Sequence, residues 1–118
     1  MKLSKVRELL DAEVLCSEEL LEGEAMSACG SDMMSDVLAF VKDQSILLTG
    51  LVNPQTVRTA QMMDMKCIVF VRGKRPEESV VQLAEENGIM IMTTSFRMYA
   101  ACGILYSHGL NSEGIDKV

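Results

Sequence analysis

Short runs of apolar residues alternate with amphipathic segments through the second half of the chain. These runs cover residues 46–50, 67–71 and 89–93, and a helix-forming segment follows each of them. The second run is apolar at every position, which is typical of a strand buried on both faces. Strands that are joined through helices pair in parallel, with right-handed crossovers. The pattern therefore predicts an α/β fold: a single layered domain with a mainly parallel sheet, built from consecutive βα units, with helices on both faces.

Residues with capping chemistry mark where the helices begin and end. Asn53 and Pro54 supply an N-cap followed by a first helical residue. Gly88 suits the left-handed position that follows the last turn of a helix. The helices predicted after the three runs cover residues 54–63, 76–87 and 96–108.

The N-terminal part of the chain is less regular. Leucine and valine at helical spacing predict a short helix over residues 3–10. Two short apolar segments, residues 13–16 and 25–29, are predicted to be strands that extend or edge the sheet. A further helix is predicted over residues 33–42. Its inward-facing side chains are expected to be Val37, Leu38 and Val41.

The length of 118 residues is that of one domain. We expect the domain to cover residues 1–110 and a flexible polar tail to cover residues 111–118. Hydrophobic residues make up 48% of the chain but aromatic residues only 4%, and there are 10 methionines. The core is therefore predicted to be aliphatic and rich in thioethers.

The net charge of −6 argues against nucleic acid and against anionic membrane surfaces as partners, because both attract clustered basic residues. No apolar run approaches the roughly 20 residues that a membrane-spanning helix needs. The charged N-terminus lacks the apolar stretch of a signal peptide. A cytoplasmic location is expected.

Four cysteines, at positions 16, 29, 67 and 102, are scattered along the chain without a CxxC pair, and His108 is the only histidine. Structural zinc sites are built from close pairs of such ligands. We therefore expect buried, reduced thiols, and predict neither a metal nor a cofactor. Cys102 and His108 are six positions apart and do not share a helical face, so no nucleophile–base pair and no catalytic residue is predicted.

One candidate ligand site lies in the loops that follow the three apolar runs. In open α/β sheets ligands bind at the carboxyl edge of the strands, and helix N-termini there attract anions. The middle loop contributes three cations, and hydroxyls in the flanking loops would complete a pocket for a phosphate or carboxylate. The alternative is a solvated loop with ordinary helix caps. The candidate residues are Thr49, Gly50, Arg72, Gly73, Lys74, Arg75, Thr94 and Ser95.

A second candidate is the acidic pair Asp32 and Asp36, which are one helical turn apart. Paired carboxylates can hold a divalent cation or act in acid–base catalysis. Asp32 near a helix start is also explained by capping and by the helix dipole, and this second interpretation is the favoured one.

The combined motifs resemble the DRTGG domain family, and its stand-alone members in particular. The resemblance extends over nearly the whole chain. The Asp-Arg of the family signature is absent after the first strand of the series, where the chain reads Thr49-Gly50-Leu51-Val52, and Val71-Arg72-Gly73 stands in place of its Thr-Gly-Gly. The matching positions are residues 30–39, the pair Asn53-Pro54, and residues 68–78, 84–89 and 93–106.

This resemblance implies a fold like the N-terminal domain of HPr kinase and a role that is regulatory or dimer-forming rather than catalytic. The leading hypothesis is a non-catalytic regulatory or interaction domain that forms a homodimer and modulates a protein partner. The alternative is a sensor that binds a nucleotide or another phosphorylated metabolite, a small anionic ligand, at the loops after the strands.

Overall fold

The computed structural model of the protein describes residues 1–40 and 45–111, with side chains described over 1–39 and 46–111. Five helices and five strands follow one another in this part of the chain, with a 3-10 helix at Glu18–Glu22. The helices are α1 (Leu3–Leu10), α2 (Met34–Phe40), α3 (Pro54–Met62), α4 (Glu78–Glu86) and α5 (Met98–Ser107). The strands are β1 (Glu13–Cys16), β2 (Ser27–Gly30), β3 (Ser45–Thr49), β4 (Cys67–Phe70) and β5 (Met90–Thr93).

The strands form one sheet in the order β1-β5-β4-β3-β2. Strands β2 to β5 are parallel, and β1 pairs antiparallel with β5. The predicted α/β fold with a mainly parallel sheet is confirmed, and the two N-terminal strands do form its edges. The carboxyl ends of β2 to β5 and the beginning of β1 therefore lie along the same edge of the sheet.

Two hydrophobic layers cover the sheet, one on each face. Helices α1 and α5 pack on one face, and helices α2, α3 and α4 on the other. Successive side chains of β4 alternate between the layers: Cys67 and Val69 enter the first, Ile68 and Phe70 the second. All four are fully buried, as the uninterrupted apolar run predicted.

Strand β2 begins two residues later than predicted. The N–H of Ala25 donates a hydrogen bond to the carbonyl of Met1 at 2.8 Å, and Lys2 forms a β-bridge with Glu24. These contacts hold the segment before Ser27 against the N-terminus, so it does not continue the pairing with β3.

Helix α2 buries Met34 and Val37, but Leu38 is 40% exposed, so the prediction that Leu38 faces inward is wrong. The helix begins at Met34, one residue later than predicted, and its buried pair at positions i and i+3 turns Leu38 to the flank. Val41 lies outside the described residues, as does most of the predicted tail.

Helices α4 and α5 each begin two residues later than predicted. Before α5, the carbonyls of Thr94 and Phe96 accept hydrogen bonds from the N–H groups of Gly73 and Arg72, at 2.8 Å each. These bonds hold the segment after β5 beside the loop after β4, and the helix starts only at Met98. After α4, Gly88 has a φ of +67°, the left-handed conformation that was predicted there.

Within the described residues, no helix has both the length and the apolar character needed to cross a membrane.

The N-cap of α3 provides a test of the local sequence signals. Asn53 accepts a hydrogen bond from the N–H of Gln55 at 2.9 Å. We expect Asn53→Ala to lower the free energy of unfolding by about 1 kcal/mol, because this N–H loses its partner. Asn53→Asp keeps the acceptor and should remain close to the wild type. Urea denaturation measures both, and equal stability of the alanine variant would contradict the capping role.

Candidate functional site

The loops after the parallel strands meet at one edge of the sheet. Ser31-Asp32 follows β2, Thr49-Gly50 ends β3, residues 71–75 follow β4 and Thr94-Ser95 follows β5. The structure therefore brings the predicted ligand loops to a common edge, as the parallel order requires. It also adds the segment after β2, which was not included in the predicted ligand site.

The loops after β4 and β5 are bound to each other along their backbones. Besides the bonds from Arg72 and Gly73, the hydroxyl of Thr93 donates to the carbonyl of Lys74 at 2.7 Å. Arg72 and Gly73 both have left-handed backbones, with φ of +61° and +68°. Such a conformation is unfavourable for arginine, so these cross-loop bonds stabilise a turn that Arg72 would not adopt alone.

The two threonines predicted as ligand-binding residues are buried and engaged inside the protein. The Thr94 hydroxyl donates to the carbonyl of Leu10 at 2.6 Å and accepts from the N–H of Phe96 at 3.3 Å. The Thr49 hydroxyl donates to Asp32 at 2.9 Å and accepts from the N–H of Leu51 at 3.1 Å. Each hydroxyl therefore contributes to the fold by joining one segment to another.

Asp32 places a carboxylate directly on the loop that follows β3. One of its oxygens accepts hydrogen bonds from the N–H of Gly50 at 2.7 Å and from the hydroxyl of Thr49 at 2.9 Å. The bond from Gly50 is the main cause that lowers the pKa of Asp32, helped by Thr49 and by the charge of Arg72, while partial burial opposes it. The edge thus already holds an anion, which the protein itself supplies.

This contact corrects both interpretations of Asp32, as a neighbour of Asp36 on one helix and as the cap of that helix. Helix α2 starts at Met34, so Asp32 precedes it, and its carboxylate is bonded to the loop after β3. Ser31 makes the local turn instead, with its hydroxyl accepting from the N–H of Met33 at 3.0 Å. Asp36 lies exposed in the first turn of α2.

Arg72 lies against the same loop from the solvent side. A Cβ atom placed on Gly50 would collide with the Arg72 guanidinium. The absence of a side chain on Gly50 therefore permits the close approach of the Arg72 guanidinium. Asp32, Gly50 and Arg72 form one cluster at the end of β3, with a carboxylate and a guanidinium on the same peptide.

Arg75, another predicted ligand-binding cation, is paired with Glu13 at the beginning of β1. Its two terminal nitrogens donate to the two carboxylate oxygens at 2.9 and 3.2 Å. This pairing lowers the pKa of Glu13 and raises the pKa of Arg75. Both side chains are well exposed, so the pair adds little stability but compensates the charge of Arg75.

Lys74 and Ser95 are exposed at the same edge. Among the described residues, neither side chain takes part in a hydrogen bond or ion pair. In the part of the chain that the structure describes, no three His, Cys, Asp or Glu side chains come together as metal ligands. The groups at this edge that remain available to an anion are the guanidinium of Arg72, the ammonium of Lys74 and the hydroxyl of Ser95.

All four cysteines are free thiols. Cys16 and Cys67 are buried, as expected, whereas Cys29 and Cys102 are half-buried. Removal from water raises the pKa of each of these thiols above its usual value, which keeps them protonated at neutral pH. A protonated thiol is a poor nucleophile and a poor metal ligand.

Sequence reasoning missed the roles of Asp32 and Glu13 at this edge. The position of Asp32 could have indicated its contact with the Thr49 loop. Asp32 follows β2, which pairs in parallel with the strand that ends in Thr49, so both lie at the same edge of the sheet. Glu13 carried no comparable signal, since its pairing with Arg75 depends on β1 running antiparallel to β5.

Comparison with known proteins identifies a family and a similar fold among solved structures. The model of the DRTGG domain family matches residues 5–107. The structure is similar to a crystal structure of the CBS and DRTGG domains of the regulatory region of Clostridium perfringens pyrophosphatase, complexed with the activator diadenosine tetraphosphate. The TM-score is 0.70 and the sequence identity is 16%; the match covers 97% of this chain and 52% of that one.

The chain thus spans about half the length of the pyrophosphatase regulatory region. Among curated proteins, no sequence matches this chain.

The Asp32 cluster generates a prediction about pH. A carboxyl whose pKa is lowered on folding stabilises the protein above its ordinary pKa of about 3.9, and this stabilisation disappears as pH falls through the lowered pKa. Asp32→Asn retains an acceptor oxygen but loses the charge. We expect it to be less stable at pH 7, by about 1 kcal/mol for the loss of charge-assisted bonding at a partly exposed site. The difference should vanish in strong acid.

Urea denaturation of both proteins from pH 2 to pH 7 measures this effect, whose window is set by the lowered pKa of Asp32. Asp11→Asn, at an exposed position after α1 whose left-handed backbone suits asparagine equally well, is the matched control and should stay near the wild type throughout. A stability difference for Asp32→Asn that is the same at all pH values would contradict the assigned role of the charge.

Proposed function

Because the chain belongs to the DRTGG domain family, we propose that it is a non-catalytic regulatory domain that self-associates and modulates a partner protein. The observation that carries this proposal is the family match, which extends over residues 5–107 and so includes nearly all of the domain. No residue is assigned a catalytic role.

The structural comparison supports a regulatory rather than an enzymatic role. The same fold occurs in the regulatory region of the C. perfringens pyrophosphatase, where a DRTGG domain accompanies CBS domains. At 16% identity this similarity concerns the fold, and it does not identify the partner protein of this chain.

Exposed apolar side chains support a role in protein contacts. Met26, Met33 and Met62 are 54, 61 and 71% exposed. Methionine adapts its shape to different partners, and such residues are common at binding surfaces. The surface of this small domain therefore offers several contact points that its own core does not use.

Self-association is tested by light scattering on the untagged protein over a concentration series. We expect the molar mass to rise from that of one chain towards that of two as the concentration increases. A mass of one chain at every concentration would remove self-association from the proposal.

Modulation is tested by cross-linking the protein to its neighbours in its source cells and then assaying the captured partner. The activity of the purified partner should change when the purified protein is added. An unchanged activity for every captured partner would contradict the regulatory role.

The second candidate function is a sensor for a nucleotide or another phosphorylated metabolite. The observation that favours it is the exposed set of Arg72, Lys74 and Ser95 at the carboxyl edge of the sheet, where α/β folds bind ligands. The similar pyrophosphatase region is complexed with a dinucleotide polyphosphate activator, which belongs to this chemical class.

The observed contacts reduce the number of residues that could bind the phosphate group in this sensor. Thr49 and Thr94 are bonded internally, Arg75 is paired with Glu13, and Asp32 occupies the N–H of Gly50. A phosphate group would thus be held mainly by Arg72, Lys74 and Ser95, with Gly73 allowing close approach to the backbone.

Charge reversal at Lys74 tests the sensor function. Lys74→Glu should abolish the thermal stabilisation that ATP or diadenosine tetraphosphate gives the wild-type protein, because a carboxylate repels the phosphates. For the wild type we expect stabilisation of about 2.7 kcal/mol when the ligand is at 100 times its Kd. Differential scanning fluorimetry and calorimetric titration measure these effects.

The matched control is Lys66→Glu, which makes the same change of charge just before β4, at the opposite edge of the sheet. It should bind like the wild type. Equal affinity of Lys74→Glu and the wild type would exclude the site after β4, and no stabilisation of the wild type by any phosphorylated ligand would exclude the sensor.

A further inference from the structure

Helix α5 presents an outer surface that is unlike that of an ordinary surface helix. None of its ten residues is charged, although 24% of the chain is. Ala101 and Leu105 face the core, while Tyr99 is 93% exposed and Tyr106 is 58% exposed. An amphipathic helix in a soluble domain usually has a charged or polar outer face, and α5 has an aromatic one.

Gly103 lies on this outer surface, and no neighbouring atom of the described chain requires a glycine there. A Cβ atom placed on it would meet nothing within 4 Å, so the fold of one chain has room for a larger side chain there. Glycine inside a helix is less favourable than almost any other residue. The usual reason for retaining it is the close approach of another backbone, and the described part of this chain supplies none.

Tyr99, Gly103 and Tyr106 together give α5 a saddle-shaped profile. The two tyrosines are seven positions apart, which is two helical turns, so they project from the same side of the helix. A shallow groove between them is lined by Cys102 and Gly103. Large side chains thus stand at both ends of the helix, with a low point between them.

We propose that this surface is the interface with a second copy of the chain, in which two α5 helices pack antiparallel and cross at Gly103. The proposal rests on the self-association proposed above and specifies where it occurs. The two helices are related by a twofold axis, so Tyr99 of each subunit packs against Tyr106 of the other.

The spacing of the residues favours a second copy as the occupant. When an antiparallel copy crosses midway between Tyr99 and Tyr106, each tyrosine meets the other tyrosine of the opposite chain, and the small residues face each other. A surface that complements itself in this way is what a twofold interface requires. Two copies with a net charge of −6 each also repel one another, and an uncharged surface lets them meet without opposing like charges.

The size of the contact is sufficient for a weak but specific dimer. The exposed parts of four tyrosine side chains would bury roughly 500 Å². The small residues and helix backbones between them add to this area, which places the contact among the small interfaces, below about 1,200 Å², that are typical of weak association. A dimer of this kind dissociates on dilution, so its detection requires a concentration series.

The tyrosines themselves report on the interface. Tyr99 and Tyr106 are the only two tyrosines and the chain has no tryptophan, so its tyrosine fluorescence comes from this surface alone. We expect the tyrosine emission and the molar mass from light scattering to change over the same concentration range. A reducing agent is present throughout, because Cys102 lies in the groove and a disulfide between copies would mimic the dimer.

Gly103→Gln separates folding from association. Glutamine favours the helix and fits the open space, so the variant should have a melting temperature at least equal to that of the wild type in dilute solution. The added side chain keeps the two helices apart, so we expect dimerisation to weaken by about tenfold or more. Ser79→Gln, at an exposed position of α4 on the opposite face of the sheet, is the control and should dimerise normally.

Each outcome decides the proposal. Weakened dimerisation of folded Gly103→Gln, with the control unchanged, supports the α5 interface. Dimerisation of Gly103→Gln at wild-type strength overturns the α5 interface but leaves self-association intact. A wild-type protein that stays monomeric at every concentration overturns both, and α5 would then be available to a different protein.

Discussion

The complete burial of β4 is the constraint on which the rest of the structure depends. Its four side chains alternate between two hydrophobic layers. Helices must cover both layers to exclude the strand from solvent. This requirement places α1 and α5 on one face and α2, α3 and α4 on the other. A strand in that position also has no room for polar side chains, so all the polar chemistry of the sheet centre is displaced to the loops at its ends.

At the carboxyl edge, the polar groups of these loops are satisfied by bonds to one another. The backbone groups released by β4 and β5 bond to each other, which allows Arg72 to adopt a left-handed conformation, and the end of β3 receives the carboxylate of Asp32. These contacts link the loops of this edge to one another and fix where its charges lie. The cations at this edge differ in whether they are free to bind an anion. Arg75 is paired with Glu13, while Lys74 faces solvent.

The sequence allowed the architecture to be predicted because its signals are local. The apolar run of β4, the Asn53 cap and the left-handed Gly88 each depend on a few neighbouring residues, and each was found where it was expected. The site was only partly predictable. Its loops were identified, but the partners of Asp32 and Arg75 lie on strands distant in sequence, and their pairing depends on the strand order, which local patterns do not determine. The burial of the threonine hydroxyls was missed for the same reason.

The contact between Asp32 and Gly50 determines which substitutions at this edge would disturb the loop after β3. The carboxylate of Asp32 accepts the N–H of Gly50, so the chain itself satisfies this backbone donor. The bond from Gly50 uses the backbone and survives a change of side chain that keeps the turn, whereas the bond from Thr49 is lost with its hydroxyl. The segment between β2 and α2 is therefore coupled to the end of β3, since removing the Asp32 carboxylate would deprive both the N–H of Gly50 and the hydroxyl of Thr49 of this acceptor.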